Sequence, residues 1–192
     1  MKKPILTLIS VFALTFGFAQ ETWVMDKAHS KIQFNVAHLI ISEVSGDFKE
    51  FDGAIVTSGE EFDGADIEFT ANVASINTDN DQRDNHLKSD DFFNADKFPH
   101  LKFKGKLEKN GEKFQLKGEM TIRDVTKSVV FDVKYNGMVT DPWGNTKAGF
   151  KIIGTVNRLE YGLKWNTMME AGGAVVGSDV NIICNVELQK QT

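Results

Sequence analysis

The 192-residue sequence contains one cysteine, Cys184, so the chain cannot form a disulfide within itself. Proline is also scarce, with three in the whole chain, and it is nearly absent from the strand-like stretches, as the hydrogen bonding of a sheet requires. Cys184 shares a two-residue period with Ile182 and Val186. This pattern favours a small buried hydrophobic residue over a reactive thiol.

Basic residues are fewer than acidic ones. The chain has 22 Lys and Arg against 27 Asp and Glu, a net charge of −5. Without Lys2 and Lys3 at the N-terminus, 20 basic residues remain against 27 acidic ones, and the net charge becomes −7. A negatively charged protein repels a phosphate backbone, which disfavours nucleic acid as a partner.

Long apolar runs are confined to the N-terminus. A basic start precedes an apolar run at residues 5–18, and the small residues Gly17 and Ala19 come just before polar sequence. The run is short and lacks a charged flank on its far side, which favours a secretory signal peptide over a membrane anchor. We predict a signal peptide at residues 1–19 and one mature domain at residues 20–192, in the periplasm or secreted.

The sequence lacks the common catalytic and metal-binding motifs. It has no Gly-x-Ser-x-Gly elbow, no His-Glu-x-x-His zinc motif and no phosphate-binding glycine loop. His29 and Ser30 are adjacent, which would place their side chains on opposite faces of a strand and prevent them from acting as base and nucleophile. The histidine spacings match no metal site. We therefore predict a protein that is not an enzyme and has no metal and no cofactor.

Apolar residues that alternate with a period of two are abundant. Residues 31–37 place Ile32, Phe34 and Val36 on one face, as a half-buried strand does. Similar stretches occur at residues 65–73, 100–107, 114–116, 129–135, 150–152 and 180–188. Turn signals such as Asn110-Gly111 separate them. With about eight candidate strands and no internal repeat, the chain is predicted to be all-β, a single antiparallel domain.

A closed barrel fits this pattern better than a sandwich. The strands are long for a small sandwich, and glycines lie in or beside them where barrels place bends. An eight-stranded barrel is either filled by side chains or holds one small ligand. Twelve of the fifteen Phe follow residue 19, most of them in the inward phase, so the interior is predicted to be apolar and to select an apolar guest.

One segment, residues 77–100, does not alternate. Thr78 and Asp81 have the spacing of a capping box, and Asn80 is a second possible N-cap, so residues 81–89 are predicted to form one short polar helix. Three phenylalanines follow the helix among polar residues and need an apolar environment. The segment is therefore predicted to be a lid or plug at the mouth of the β structure.

Several blocks of the sequence resemble the YceI-like, or polyisoprenoid-binding, family. In chain order they are residues 23–38 (WVMDKAHSKIQFNVAH), 46–53 (GDFKEFDG), 83–93 (RDNHLKSDDFF), 118–127 (GEMTIRDVTK), 158–162 (RLEYG) and 176–180 (VGSDV). The resemblance covers essentially the whole mature chain. It implies an exported, eight-stranded, lipocalin-like barrel with a helix near its mouth that holds a long amphiphilic lipid, such as an isoprenoid, in an apolar tunnel. Asp124 and Ser128 depart from the Gly and Pro frequent in the family.

Two sets of residues are predicted to contact such a lipid. The predicted tail-binding residues are Phe34, Phe69, Phe92, Phe93, Phe103, Phe131, Phe150 and Ile152. The predicted head-group-binding residues are Arg83, Asp84, His86 and Arg158. The alternatives are that the rings simply fill the barrel, and that the charged residues tie the helix to the barrel through carboxylates.

The leading functional hypothesis is a non-catalytic binding protein that sequesters or transports a polyisoprenoid or similar lipid. Its predicted partners are the lipid itself, a membrane in transient contact at most, and no nucleic acid, while a homodimer is left open. Two alternatives belong to other classes. One is a small hydrolase or lipid-modifying enzyme that uses Arg83, Asp84 and His86, and the other is a filled barrel that binds a protein partner.

Overall fold

The computed structural model describes residues 20–58, 62–168 and 172–191, and β-strands make up most of these residues. The predicted signal peptide lies outside the described residues. The strands are β1 Glu21–Met25, β2 Lys31–His38, β3 Ser42–Phe48, β4 Phe51–Thr57, β5 Ala65–Asn72, β6 Ile76–Asn77, β7 His100–Asn110, β8 Lys113–Ile122, β9 Val125–Thr140, β10 Thr146–Asn157 and β11 Val176–Lys190. One α-helix, α1 at Asp81–Lys88, occurs in this part of the chain. Within the described residues, no helix has the length and apolar character needed to cross a bilayer.

Eight antiparallel strands close into a barrel. Their order is β1-β4-β5-β7-β8-β9-β10-β11, and β11 pairs with β1 to complete the ring, with Trp23 opposite Lys190. The strands β2, β3 and β6 continue β1, β4 and β5 beyond brief interruptions, and pair with one another beside β11. The prediction of a closed, all-β, lipocalin-like barrel of eight strands is confirmed.

The interruption between β1 and β2 is held by a charge cluster. Asp26 accepts hydrogen bonds from the Lys147 ammonium at 2.6 Å and from the backbone N–H of Ala28 at 3.0 Å, and its Oδ2 lies 3.0 Å from His29 Nδ1. Lys147 also donates to Glu187 at 3.1 Å, which connects β10 and β11 to the same point. Lys147 holds the pKa of Asp26 well below its usual range. Lys147 thus supplies the cation for both carboxylates. The sequence block that contains His29, residues 23–38, therefore has a structural role at this interruption.

We expect Asp26→Asn to lower the free energy of unfolding at pH 7 by about 1–3 kcal/mol, because Lys147 loses its nearer carboxylate in a mostly buried position. The pKa of Asp26 is depressed by folding, so its stabilisation is complete above the unfolded pKa of about 3.9 and is lost progressively as the pH falls further. Urea unfolding from pH 7 down to about pH 2 should show the two proteins converging in acid. The exposed pair Lys27–Asp52, 3.1 Å apart, provides the control Asp52→Asn, with an expected loss below about 1 kcal/mol. A difference for Asp26→Asn that stays constant with pH would contradict the assignment.

The helix α1 begins where the sequence indicates, and of the two predicted caps it uses Asn80. Asn80 is the N-cap and accepts a hydrogen bond from the backbone N–H of Arg83 at 2.9 Å, and the helix ends one residue earlier than predicted. The capping-box prediction for Thr78 was wrong. Its hydroxyl donates instead to the buried carboxylate of Asp84, which also accepts from the Thr78 backbone N–H at 2.9 Å.

The core lies on the inner surface of the barrel. The inward-facing side chains of the strands alternate with solvated ones, as the sequence predicted. Cys184 is buried on β11, and burial raises the pKa of its thiol to about 12. The residue therefore behaves as the predicted core hydrophobe and carries almost no thiolate at neutral pH.

Candidate functional site

An apolar cavity of about 210 Å³ occupies the interior of the barrel. Its wall is formed by inward-facing strand residues, and Leu87 of α1 closes it at one end together with Phe92 and Phe93. The eight predicted tail-binding residues all line it: Phe34, Phe69, Phe92, Phe93, Phe103, Phe131, Phe150 and Ile152. The rings therefore surround a space instead of filling the barrel. Whether they contact a lipid stays a prediction.

Two glycines help to shape this cavity by leaving room for rings. A Cβ on Gly154 would stand 2.0 Å from Cδ1 of Phe131, and a Cβ on Gly46 would stand 2.4 Å from Cζ of Phe34. Neither ring could keep its place beside a larger residue. The positions of Phe131 and Phe34 in the wall thus depend on the two strand glycines.

The residues after α1 form the predicted plug, which we define as residues 89–99. Phe92 is buried at the end of the cavity, and its backbone carbonyl accepts a hydrogen bond of 3.1 Å from Arg123 in the tight turn between β8 and β9. The Phe92 ring also contacts His86 and Trp165, with ring centroids 5.1 and 5.4 Å away. The prediction of a plug therefore holds for Phe92 and Phe93, which line the cavity. Phe98 is half-buried outside the cavity wall, with the Arg123 guanidinium 5.5 Å from its ring centroid.

A groove of about 370 Å³ lies on the outer side of the plug. It runs between α1, the β2–β3 hairpin and the residues Trp165, Val175 and Val176, and Arg83 and His86 line it. The groove and the cavity share the wall residues Phe34, Val36, Leu87, Phe92 and Val176. The two spaces are therefore adjacent, and the Phe92 ring lies between them.

The fold places the four predicted head-group residues on different sides of this boundary. Arg83 lines the groove and donates to Thr78, from Nε to the hydroxyl at 2.8 Å and from Nη2 to the carbonyl at 2.7 Å. His86 Nε2 lies 2.9 Å from Asp91 Oδ2. Asp84 does not line either space, because its carboxylate is buried against Thr78.

Arg158 is the exceptional polar residue of the cavity. Four polar residues are among the described wall residues, Gln33, Glu68, Lys102 and Arg158, and of these only Arg158 is buried. Its Cζ lies 5.9 Å from the centroid of the Phe92 ring, on the cavity side of the boundary. Burial lowers the pKa of this guanidinium, and it has no carboxylate partner among the described residues.

Backbone carbonyls hold Arg158 instead. Nε donates to the carbonyl of Gly177 at 2.7 Å, and Nη2 donates to that of Val176 at 3.1 Å. Nη1 donates to the carbonyls of Leu163 and Trp165. Four of the five guanidinium N–H groups are used in this way. The hypothesis of a tie through carboxylates is therefore wrong for Arg158, which binds the backbone of residues 163–165 and 176–177 instead.

The comparisons with known proteins agree with this architecture. The sequence model of the YceI-like domain matches residues 23–188, which is most of the chain. The chain belongs to the YceI-like family.

Related YceI-like proteins match over nearly their full length. A UPF0312 protein of Staphylococcus aureus strain USA300 is 38% identical over 165 residues, which cover 84% of this chain and 94% of the relative. The structure of a YceI protein of Campylobacter jejuni is 33% identical and has a TM-score of 0.68, covering 87% of this chain and 96% of that one.

Two more distant structures share the fold. BcnA of Burkholderia cenocepacia has a TM-score of 0.73 at 18% identity, covering 85% of this chain and 98% of BcnA. A polyisoprenoid-binding domain from Saccharophagus degradans, implicated in plant cell wall breakdown, has a TM-score of 0.68 at 13% identity, covering 88% and 98% of the two chains. At these identities the likeness concerns the barrel itself.

Two residues at the mouth of this YceI-like barrel were not found by sequence reasoning. Trp165 packs on His86 with ring centroids 4.8 Å apart, and Arg123 donates to the carbonyl of Gly162 at 3.1 Å as well as to Phe92. Arg123 has φ of 56°, and a long side chain in a tight turn that usually takes Gly or Asn was the available signal. Trp165 lies in a segment without periodicity and gave none.

The geometry does not bring together the catalytic residues predicted for the hydrolase alternative. Asp84 contacts Thr78, whereas the imidazole of His86 contacts Asp91, so the two do not form a base and its orienting acid. In the part of the chain that the structure describes, one cluster has spacing suited to a metal, at Asp26, His29 and Glu187. The Lys147 ammonium already contacts both of its carboxylates.

Proposed function

We propose that this protein is an exported, non-catalytic carrier of a long-chain amphiphilic lipid, with the apolar tail in the cavity and the head group in the groove. The observation that carries the proposal is that the two spaces adjoin on either side of the Phe92 ring. The inner space is apolar, while the outer one presents Arg83 and His86. An amphiphile has the same order of apolar and polar parts.

The energetics favour a long ligand. Burying one methylene contributes about 0.8 kcal/mol, so a five-carbon isoprene unit contributes roughly 3–4 kcal/mol before other terms. Association costs roughly 4–15 kcal/mol, and micromolar affinity requires about 8 kcal/mol net. Several units are therefore needed, and a short ligand would bind poorly.

The size of the cavity indicates how such a ligand would fit. About 210 Å³ is less than the roughly 300–1,000 Å³ typical of pockets for drug-sized molecules. The cavity would hold one part of a long chain, and the remainder would pass Phe92 into the groove of about 370 Å³. Movement of the plug rings would widen the passage.

The comparisons support the same class of ligand. The Saccharophagus degradans neighbour is a polyisoprenoid-binding domain with this fold. Export to the periplasm or beyond is supported by the predicted signal peptide at residues 1–19, and a carrier is needed where an apolar lipid must cross water. The proposed partner is thus the lipid itself, with no nucleic acid and no cofactor.

Native mass spectrometry of residues 20–192, paired with analysis of an organic extract of the same sample, tests the proposal. We expect one co-purifying species of discrete mass with a long apolar chain, released when the protein is denatured by acid. A delipidated sample should regain an equimolar amount of an added polyprenol. Protein that is folded but stays empty with polyprenols and with fatty amphiphiles would contradict the proposal and favour a barrel that binds a protein partner.

A further inference from the structure

The turn between β2 and β3 is built from three aliphatic residues, Leu39, Ile40 and Ile41. Ile40 is 71% exposed and Ile41 is 86% exposed. Turns usually contain Gly, Asn, Asp, Pro or Ser, because these residues tolerate the backbone and the solvent. An exposed turn of this composition needs an explanation.

The backbone of the turn is also unfavourable for these residues. Leu39 has φ of 53° and Ile40 has φ of 67°, both in the left-handed region. A β-branched residue is rarely found there, and such positions typically cost about 1–3 kcal/mol each. The sequence thus places large apolar side chains where neither water nor the backbone favours them.

This apolar turn lies at the edge of the groove. The backbone N–H of Leu39 donates to the carbonyl of Val175 at 2.9 Å, and Val175 donates to the carbonyl of Thr167 at 3.0 Å. Met168, the next residue, is itself 71% exposed. The arms of the hairpin supply groove wall, including His38 on β2 and Val44 on β3. Exposed apolar side chains therefore border the opening through which a lipid would pass.

We propose that the turn Leu39–Ile41 inserts into the surface of a lipid bilayer and places the groove against it. The inference rests on the proposed function, because a bilayer is the reservoir from which a long-chain lipid must be taken or to which it must be returned. Insertion removes the exposed side chains from water. The turn is too small for stable anchoring, so the contact is reversible.

Charge decides which kind of membrane surface fits. The mature chain has a predicted net charge of −7, with 20 basic and 27 acidic residues, so an anionic surface repels it. The docking force is therefore apolar. It should operate on zwitterionic lipid and change little with salt.

The opposite end of the barrel offers a matched control. The turn between β9 and β10 carries Trp143, which is 83% exposed and therefore as available for nonspecific adsorption. β9 starts at the Arg123 turn beside the plug and ends at this turn, so Trp143 is remote from the groove. Its backbone is conventional: Asp141 accepts from the N–H groups of Trp143 and Asn145, both at 2.9 Å.

Vesicle flotation tests the inference. We expect the mature protein to float with phosphatidylcholine vesicles, and the double variant Ile40→Asn/Ile41→Ser to show apparent partitioning at least about ten-fold lower. Asn tolerates the left-handed region, so the variant should unfold at the same temperature or higher. Trp143→Ser should float like the parent protein. If Trp143→Ser lost as much flotation as the double variant, the proposed docking surface would be overturned. The same holds if the protein floated more strongly with anionic vesicles and salt abolished this flotation.

A transfer experiment separates this inference from the proposed function. A fluorescently labelled polyprenol is offered either in detergent or in phosphatidylcholine vesicles. We expect the double variant to match the parent protein in uptake from detergent and to be at least about ten-fold slower from vesicles. Equal rates from vesicles would overturn the docking surface alone. A parent protein that takes up no polyprenol from either source would instead contradict the carrier function.

Discussion

Replacing Ile182 with Trp should reduce uptake of a long-chain lipid by at least about ten-fold while the barrel stays folded. Ile182 lies on β11 opposite Phe34 and lines the cavity. A larger side chain there occupies space that the tail would use, and loss of even two buried methylenes corresponds to about 1.6 kcal/mol, more than a ten-fold change in affinity. Titration of the delipidated protein with a polyprenol measures the effect.

Val130→Trp is the matched control for this variant. Val130 lies on β9, is 56% exposed and points away from the cavity, so the same substitution should leave uptake unchanged. Thermal unfolding of both variants separates blockage from misfolding, because overpacking costs about 1–3 kcal/mol where the space is already filled. Undiminished uptake by folded Ile182→Trp would show that the tail does not lie in this cavity.

Replacing Arg158 with Met should produce the largest loss of stability, about 2–5 kcal/mol. The substitution removes a hydrogen-bond donor from four backbone carbonyls, those of Leu163, Trp165, Val176 and Gly177, of which Val176 keeps a second donor in the side-chain amide of Asn166. Each unsatisfied buried group costs about 1–3 kcal/mol, and the release of a desolvated guanidinium offsets part of the sum. Urea unfolding with a single cooperative transition measures the change.

Lys164→Met is the control for the Arg158 variant, since Lys164 is an exposed cation in the same segment. It should change the free energy of unfolding by less than about 0.5 kcal/mol. If Arg158→Met were as stable as this control, the role of the guanidinium in holding residues 163–165 and 176–177 would be disproved. Loss of lipid uptake without loss of stability would instead favour the head-group role predicted for Arg158.

The barrel could be predicted because its long strands have one solvent-exposed face and one buried face. Buried and exposed residues alternate along parts of β7 and β9. The residues on the buried side of this pattern identified the wall of the cavity. β3 was missed because Ser45-Gly46-Asp47 in its middle has the composition of a turn, although these residues pair with β2. β1 and β6 were missed because they are short, and β4 because Gly53 and Ala54 weaken its pattern.

The mouth of the barrel could be predicted only in part. Asn80 and the phenylalanines of the plug carry local signals, namely a cap and rings that need burial. The bonds of Arg158 and Arg123 depend on carbonyls brought together by the closed fold, and a carbonyl has no sequence signature. The sequence therefore indicated which side chains face inward, but not which charged groups fasten the mouth.

The pairing of β1 with β11 has a consequence for how the interior forms. These are the first and last strands of the described chain, so Trp23 cannot pair with Lys190 until β11 has been synthesised. Contacts between such distant residues are slow to form, because a long loop must close first. During synthesis from the N-terminus, the inward-facing phenylalanines therefore stay exposed to water until β11 has been made. Until β11 is available the ring cannot close, and the residues that later enclose the cavity remain accessible to chaperones.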